Sequence, residues 1–390
     1  MAYNSKFDKK TILATASIAP AENHGVPNPP IYRASTIISE RMAQYRGEEP
    51  QEYDYGRVGT PTSRAFEDAI CALYEADDTI STPSGLSAVT TALLAYVKAG
   101  DHILFPDSLY GSSRRFVTKM LVQYGVEVEF YPARINEAIA DLIKPNTCVI
   151  YLESPGSLTF ELQDVPAIVA IAKAHDIVTM LDNTWGTALH HNALNMGVDI
   201  IIEAATKYIT GHSDVMLGIV CARGKHAKIL RLAVTALGVC AGPDDLYLAI
   251  RGLRTMSLRL KQSEATGLAL ARMVEAQKHV TAVLHPGLES SPDHAIYKRD
   301  FTGSCGLFGF VLSQDLTQDV IDEAVNGLKL FQIGASWGGF ESLITQAVLT
   351  SKNRSFASDI PNGYLMRIYA GLEDEGDLMA NLQTFFDKLG

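Results

Sequence analysis

One lysine of this chain stands where a lysine is costly to keep charged. The run Ile200-Ile201-Ile202-Glu203-Ala204-Ala205-Thr206 is strand-like, and it delivers Lys207 into a polar loop, Tyr208-Ile209-Thr210-Gly211-His212-Ser213-Asp214. Burial favours the neutral amine over the ammonium and lowers its pKa. A neutral amine is a nucleophile, and its distinctive chemistry is Schiff-base formation with a carbonyl. Taken alone, a lysine after a strand is more often a surface group whose stem lies along apolar surface. The other islands of chemistry in the sequence therefore decide the reading.

A lysine that carries a carbonyl cofactor such as pyridoxal phosphate (PLP) works with an acid paired to the pyridinium nitrogen. Residues 177–181 read as a buried parallel strand, and Asp182 follows at its carboxyl end, where ligand groups of open α/β sheets gather. The stretch Ser81-Thr82-Pro83-Ser84-Gly85-Leu86-Ser87-Ala88 lies between a strand and a helix, so its amides can hold a phosphate. Tyr55 and Arg57 offer a hydroxyl and a guanidinium suited to the same dianion. Tyr110 follows the strand 102–105 and can stack on a planar group. Ser336-Trp337-Gly338-Gly339 and Arg367 come from the last third of the sequence, and an arginine on a strand edge suits a carboxylate. Singly these read as a cap, a solvated turn and an exposed arginine. Together they supply a phosphate seat, a stacking ring, an acid, an amine and a carboxylate receptor.

The elements that must position them alternate. Helix 69–74, strand 78–81, helix 87–98, strand 102–105, helix 115–124, strands 126–131 and 148–152, helix 166–174 and strand 177–181 are expected in turn, which gives a mainly parallel sheet covered on both faces. Strands 199–204 and 217–222 are too close for a crossover helix, so they are expected to pair antiparallel. A long helix over 251–274 precedes strands 307–312, 328–331 and 365–369 of a smaller unit. The expected division is an irregular, proline-rich arm over 1–55, a large unit over 56–250 and a small unit over 251–390.

The bulk numbers set limits. With 390 residues, 47% hydrophobic and 20% charged, the protein can bury a large core, and a net charge of -11 argues against a nucleic-acid partner. No run approaches the roughly 18 apolar residues of a membrane span, so a cytoplasmic protein is expected. The five cysteines lack metal-ligand spacing, and no metal site is expected. His190-His191 reads as an exposed loop pair.

Beyond these residue-level readings, the sequence resembles the Cys/Met-metabolism PLP-dependent enzymes, and within them the bacterial cystathionine β-lyases. The resemblance is carried by Tyr55-Gly56-Arg57, Pro83-Ser84-Gly85, Glu153-Ser154-Pro155-Gly156-Ser157, Asp182-Asn183-Thr184-Trp185, Ala205-Thr206-Lys207-Tyr208, Gly211-His212-Ser213-Asp214, Lys298-Arg299-Asp300-Phe301, Ser336-Trp337-Gly338-Gly339 and Gly371-Leu372-Glu373-Asp374. It implies an α/β fold of the fold-type I PLP-transferase kind, with a large seven-stranded-type sheet domain and a smaller C-terminal α+β domain. It also implies pyridoxal 5'-phosphate on Lys207, Asp182 at the ring nitrogen, Tyr110 stacked on the ring, and Gly85, Leu86 and Thr206 at the phosphate. Tyr55 and Arg57 would reach the phosphate of a neighbouring subunit in a homotetramer with shared active sites. Arg367 and Ser336 would take the α-carboxylate of an amino-acid substrate, and Trp337 would shape the pocket.

The implied reaction is α,β-elimination that cleaves a carbon–sulfur bond in the substrate's side chain, with Lys207 or Tyr110 carrying the proton. The resemblance places Pro155-Gly156-Ser157 and Trp337 with the β-lyases rather than the γ-lyases and γ-synthases. Ala335 departs from it, since β-lyases usually have a tyrosine there, and this keeps a γ-lyase of a homoserine-type amino acid such as canavanine as an alternative. Ala204, where many members place a serine, is a second departure. A non-catalytic binding protein is the alternative from another class, disfavoured by the retention of Lys207, Asp182, Tyr110 and Arg367 together.

Overall fold

The computed structural model describes residues 7–350, 353–356 and 359–390. Seven strands form the larger sheet: β1 (Asp78–Thr82), β2 (His102–Pro106), β3 (Glu127–Tyr131), β4 (Thr147–Glu153), β5 (Val178–Asp182), β6 (Ile200–Glu203) and β7 (Gly218–Ala222). Their spatial order is β1-β7-β6-β5-β4-β2-β3. The β3-β2, β2-β4, β4-β5 and β5-β6 pairs are parallel, while β7 runs antiparallel to both β6 and β1. The close spacing of β6 and β7 does produce the expected antiparallel pair. Every residue of β2, β6 and β7 is buried, as expected for strands covered on both faces. Ile201, Leu181 and Leu152 pack into the core on one face, and Ile202, Met180 and Tyr151 into the core on the other.

The smaller sheet contains β8 (Val280–Leu284), β9 (Leu307–Leu312), β10 (Gln332–Ile333), β11 (Leu343–Ala347) and β12 (Tyr364–Tyr369), in the order β10-β11-β12-β9-β8. Helices Gln318–Asn326 and Glu375–Leu389 cover it, burying Ile321, Phe385 and Phe386 against Phe308, Phe310 and Ile368. The expected strand over 328–331 is not formed. That stretch is a bend after the helix, where the Asn381 side chain accepts the Leu330 and Phe331 N–H groups and Phe331 fills the core. Pairing starts only at β10.

A 33-residue helix, Pro243–Glu275, joins the two sheets. Pro243 at its first turn supplies a helical φ, and Asp244 and Asp245 face the positive end of its dipole. Its Leu246, Leu253 and Leu260 belong to the large sheet's core, whereas Leu270 and Val274 belong to the small sheet's. The expected junction at 250 falls inside this single rod. The N-terminal stretch is less irregular than its prolines suggest: helix Lys9–Ala14, capped by Asp8, buries Ile12 and Leu13 in the large core. Among the described residues, no helix is long and apolar enough to cross a membrane.

Candidate active site

The carboxyl ends of β4, β5 and β6 bring the expected amine and acid together. Lys207 lies in the turn after β6, where its N–H donates to Ala204 O at 3.0 Å and its carbonyl accepts from Gly211 N at 2.8 Å. Its ammonium donates to Ser336 Oγ at 2.5 Å and stands 5.5 Å from the Trp337 ring centroid. Gly338, at φ +84°, makes this approach possible, since a Cβ there would sit 2.9 Å from Lys207 Cβ. Burial pulls the Lys207 amine down to about 8, the nearby Arg367 guanidinium adds to the fall, and Asp182 opposes it.

Asp182 ends β5. Its Oδ1 accepts from Thr184 N at 3.0 Å and Thr184 Oγ1 at 2.5 Å, and that hydroxyl accepts from Ala204 N at 2.9 Å. Thr184 thus ties the acid to the start of the lysine's turn. Oδ2 has no hydrogen-bond partner among the described residues. Burial raises the Asp182 carboxyl, while the Thr184 bonds and Lys207 favour its charge.

The phosphate-type seat lies across from that turn. Gly85 opens helix Gly85–Leu94, whose cap Ser84 accepts from Ser87 N at 3.1 Å. The first-turn N–H groups of Gly85 and Leu86 have no intrahelical partner. A Cβ on Gly85 would come within 2.6 Å of Ala204 Cβ, so glycine and alanine together let this helix end approach the lysine's turn. The Thr206 hydroxyl accepts from Leu217 N at 2.8 Å and donates to Leu217 O at 3.1 Å, so its proton is engaged with the segment entering β7.

Tyr110, 48% exposed, stands at the N-cap of helix Gly111–Lys119, and its N–H donates to Glu153 Oε2 at 2.8 Å. Arg367, in the middle of β12, donates from Nη2 to Ser336 O at 3.2 Å. No carboxylate pairs with Arg367 among the described residues, although it is only partly exposed and burial lowers its pKa. Ser336 has φ +98°, an unusual conformation for a residue with a side chain. Ala335 and Ser336 are exposed, and Trp337 is half-buried against Tyr208 at 5.5 Å between centroids. Tyr55 and Arg57 find their partners outside this group. Tyr55 pairs with Thr36, and Arg57 donates to Thr235 O at 2.7 Å.

Sequence reading gave no role to Glu153 or Thr184, although both sit at or just past strand ends, the signal that marked Asp182. It also misplaced the histidine pair. His191 is fully buried, stacked on Phe301 at 4.2 Å and bonded to Asn183 Oδ1 at 2.7 Å, and burial takes it down to about 3. His190 is partly buried in helix Thr187–His190.

Residues 10–387 match the family of Cys/Met metabolism PLP-dependent enzymes. The protein belongs to that family. A Rhizobium johnstonii relative, provisionally named a cystathionine beta-lyase, is 44% identical, with 97% of this chain and 98% of the relative covered. An L-alanine/L-glutamate racemase of Wolbachia pipientis is 37% identical, with 98% of this chain and 97% of the relative covered. The crystal structure of cystathionine gamma synthase from Xanthomonas oryzae pv. oryzae, in complex with aminoacrylate and cysteine, superposes with a TM-score of 0.92 at 28% identity, covering 98% of each protein. The family's cofactor is pyridoxal 5'-phosphate, and the residues present suit it: an amine shifted toward neutrality, a partly buried acid with one oxygen unpartnered among the described residues, and a helix end whose first N–H groups lack intrahelical partners.

Proposed function

We propose that this protein is a PLP-dependent carbon–sulfur lyase that cleaves an amino-acid side chain by α,β-elimination, converting cystathionine or another S-substituted cysteine to pyruvate, ammonia and a thiol. The observation that carries this reading is the setting of Lys207, whose amine feels a partly buried acid, Asp182, and a guanidinium without a carboxylate partner among the described residues, Arg367.

Held on Lys207, the cofactor supplies an electron-poor ring that accepts the charge left when an amino acid loses its α-proton. Asp182 Oδ2 would pair with the ring nitrogen, Gly85 and Leu86 would hold the phosphate, Thr206 would join them only by turning its hydroxyl away from Leu217 O, and Tyr110 would stack on the ring. Arg367 would take the substrate's α-carboxylate as a bidentate pair, with Ser336 beside it, which fixes the Cα–H bond relative to Lys207. With its amine free, Lys207 would remove the α-proton as a neutral base. Positioned proton transfer of this kind is worth about 10²–10⁴-fold. The C–S electron pair leaves with sulfur, and Lys207 or Tyr110 would deliver the proton that completes the thiol.

Elimination at Cβ needs one proton removal from carbon, whereas γ-chemistry needs a second. The β-reading is supported by the name of the Rhizobium johnstonii relative, and the loop at Pro155-Gly156-Ser157, where a Cβ on Gly156 would sit 2.2 Å from Ser108 Oγ and Ser157 N donates to Ser108 O at 2.8 Å, braces the segment leading to Tyr110. The Wolbachia relative favours a second reading, racemisation, which begins with the same proton removal and breaks no bond beyond Cα. Exposed Ala335 supports a third, γ-cleavage of a longer substrate such as canavanine. Tyr55 and Arg57, whose partners lie outside the Lys207 group, suit a phosphate in a neighbouring subunit, and we place the protein in the cytoplasm as a homotetramer with shared active sites.

The test is stoichiometric. Incubation of the PLP-loaded protein with cystathionine should release pyruvate and free thiol in equal amounts, and Lys207→Ala should release neither. Thiol without pyruvate, or release undiminished by Lys207→Ala, would exclude this mechanism.

A further inference from the structure

The acids at the carboxyl edge of the large sheet extend one strand beyond Asp182. Glu153 closes β4 as Asp182 closes β5, and the two are register partners in a parallel pair, so their carboxyl groups leave the same face. Glu153 is 6% exposed. Its N–H donates to Gln163 Oε1 at 2.9 Å, Gln163 Nε2 donates to the Tyr131 hydroxyl at 3.0 Å, and that hydroxyl donates to Tyr151 O at 2.6 Å. The backbone of β4 is thereby fixed, and the Glu153 carboxyl reaches out to accept the Tyr110 N–H. The ring expected to lie on the cofactor is held, through its backbone, by this acid.

Adjacent buried carboxyl groups do not both ionise readily, because each charge opposes the other. The groups facing Glu153 are Asp182 on β5, the Tyr151 hydroxyl on its own strand, the Tyr110 N–H from the helix cap, Ser157 from the following loop, and Arg354 from the 353–356 segment. Burial and Asp182 together push Glu153 up to about 8. Burial raises Asp182 as well, but there the two Thr184 bonds and Lys207 favour the charge, whereas at Glu153 burial and Asp182 outweigh the Tyr110 bond, Ser157 and Arg354. The negative charge therefore belongs on Asp182 and the proton on Glu153.

We infer that Glu153 is a positioning residue: a neutral buried acid that ties the Tyr110 backbone to the strand-end row and leaves Asp182 as the single charged acid facing the cofactor. The inference rests on the proposed roles of Asp182 and Tyr110 and goes beyond them in assigning the neighbouring acid.

The experiment compares wild-type holoenzyme with Glu153→Gln and Glu153→Ala by three readouts: pH titration of the cofactor's visible absorbance, its visible circular dichroism, and its retention on dialysis. Glu153→Gln preserves a neutral acceptor for the Tyr110 N–H, so the midpoint, dichroism and retention should match wild type. Glu153→Ala removes the acceptor, so dichroism should change and retention should fall by about three- to tenfold. A midpoint displaced by roughly one unit or more in Glu153→Gln would show that Glu153 carries charge, and would overturn the inference. Retention and dichroism unchanged in Glu153→Ala would overturn it too. Should the alanine variant not fold, Glu153→Gln decides alone. These readouts do not depend on turnover: a wild type that binds PLP but makes no pyruvate would sink the lyase reading and leave this inference standing.

Discussion

The two sides of the candidate site are built differently. On the large-sheet side, Asp182, Thr184 and Glu153 are buried or nearly so, and hydrogen bonds through Thr184 lock the acid to the turn that presents Lys207. On the small-sheet side, Ala335 and Ser336 lie on an exposed loop with a strained φ at Ser336, and Arg367 donates to Ser336 O at 3.2 Å. The contrast separates tasks. Chemistry common to a PLP family sits on rigid strand ends, and recognition of a particular amino acid sits on a loop free to vary. The one departure expected to alter specificity, Ala335, falls on the loop.

Breaking the rigid side should cost most. Lys207→Ala should abolish the borohydride-reducible visible chromophore and lower kcat by about 10²–10⁴-fold or more. Persistence of both would mean that Lys207 is not the amine.

On the small-sheet side, Arg367→Ala should remove the carboxylate anchor, with about 2–5 kcal/mol at stake and most of the effect in KM. Steady-state kinetics with the true substrate checks this, and an unchanged KM would remove Arg367 from the site.

A pH series sharpens the rigid side further. Burial lowers the Lys207 amine to about 8, so it is charged below that pH and nucleophilic above it. Capture of PLP by cofactor-free protein should therefore quicken about tenfold per pH unit up to about 8 and level off beyond. Stopped-flow absorbance would reveal this, and a rise continuing to pH 10 would indicate an ordinary lysine.

The smallest effect is expected at Ala335. Ala335→Tyr should shift the kcat/KM ratio between cystathionine and longer substrates by about tenfold toward cystathionine, the scale of one pocket contact. An unmoved ratio would show that the selector lies elsewhere.

Much of the rigid side was legible from sequence because a strand buried on both faces leaves a continuous apolar run, and a polar residue at its end stands out. Asp182 and Lys207 stand out that way, and the strand ends agree with the structure within one or two residues. The small sheet was less legible. Leu328, Leu330 and Phe331 look like a strand, but Gly327 ends the preceding helix and Asn381, distant in sequence, takes the amides instead. His191 looked like a loop residue because its partners Asn183 and Phe301 are brought to it only by the fold. Glu153 carried the same strand-end mark as Asp182, but its partner, the Tyr110 N–H, belongs to another strand's loop. The strained Ser336 and the contact of Gly338 with Lys207 likewise join distant segments that no local pattern announces.

The most direct test of the central claim is the product profile, by chiral chromatography coupled to mass spectrometry, of the PLP-loaded enzyme given cystathionine, canavanine and L-alanine separately. The account predicts efficient conversion of cystathionine to pyruvate, ammonia and homocysteine, with little change in the other two. Slow turnover of cystathionine beside rapid Cγ cleavage of canavanine, or rapid conversion of L-alanine to its D-form, would contradict it.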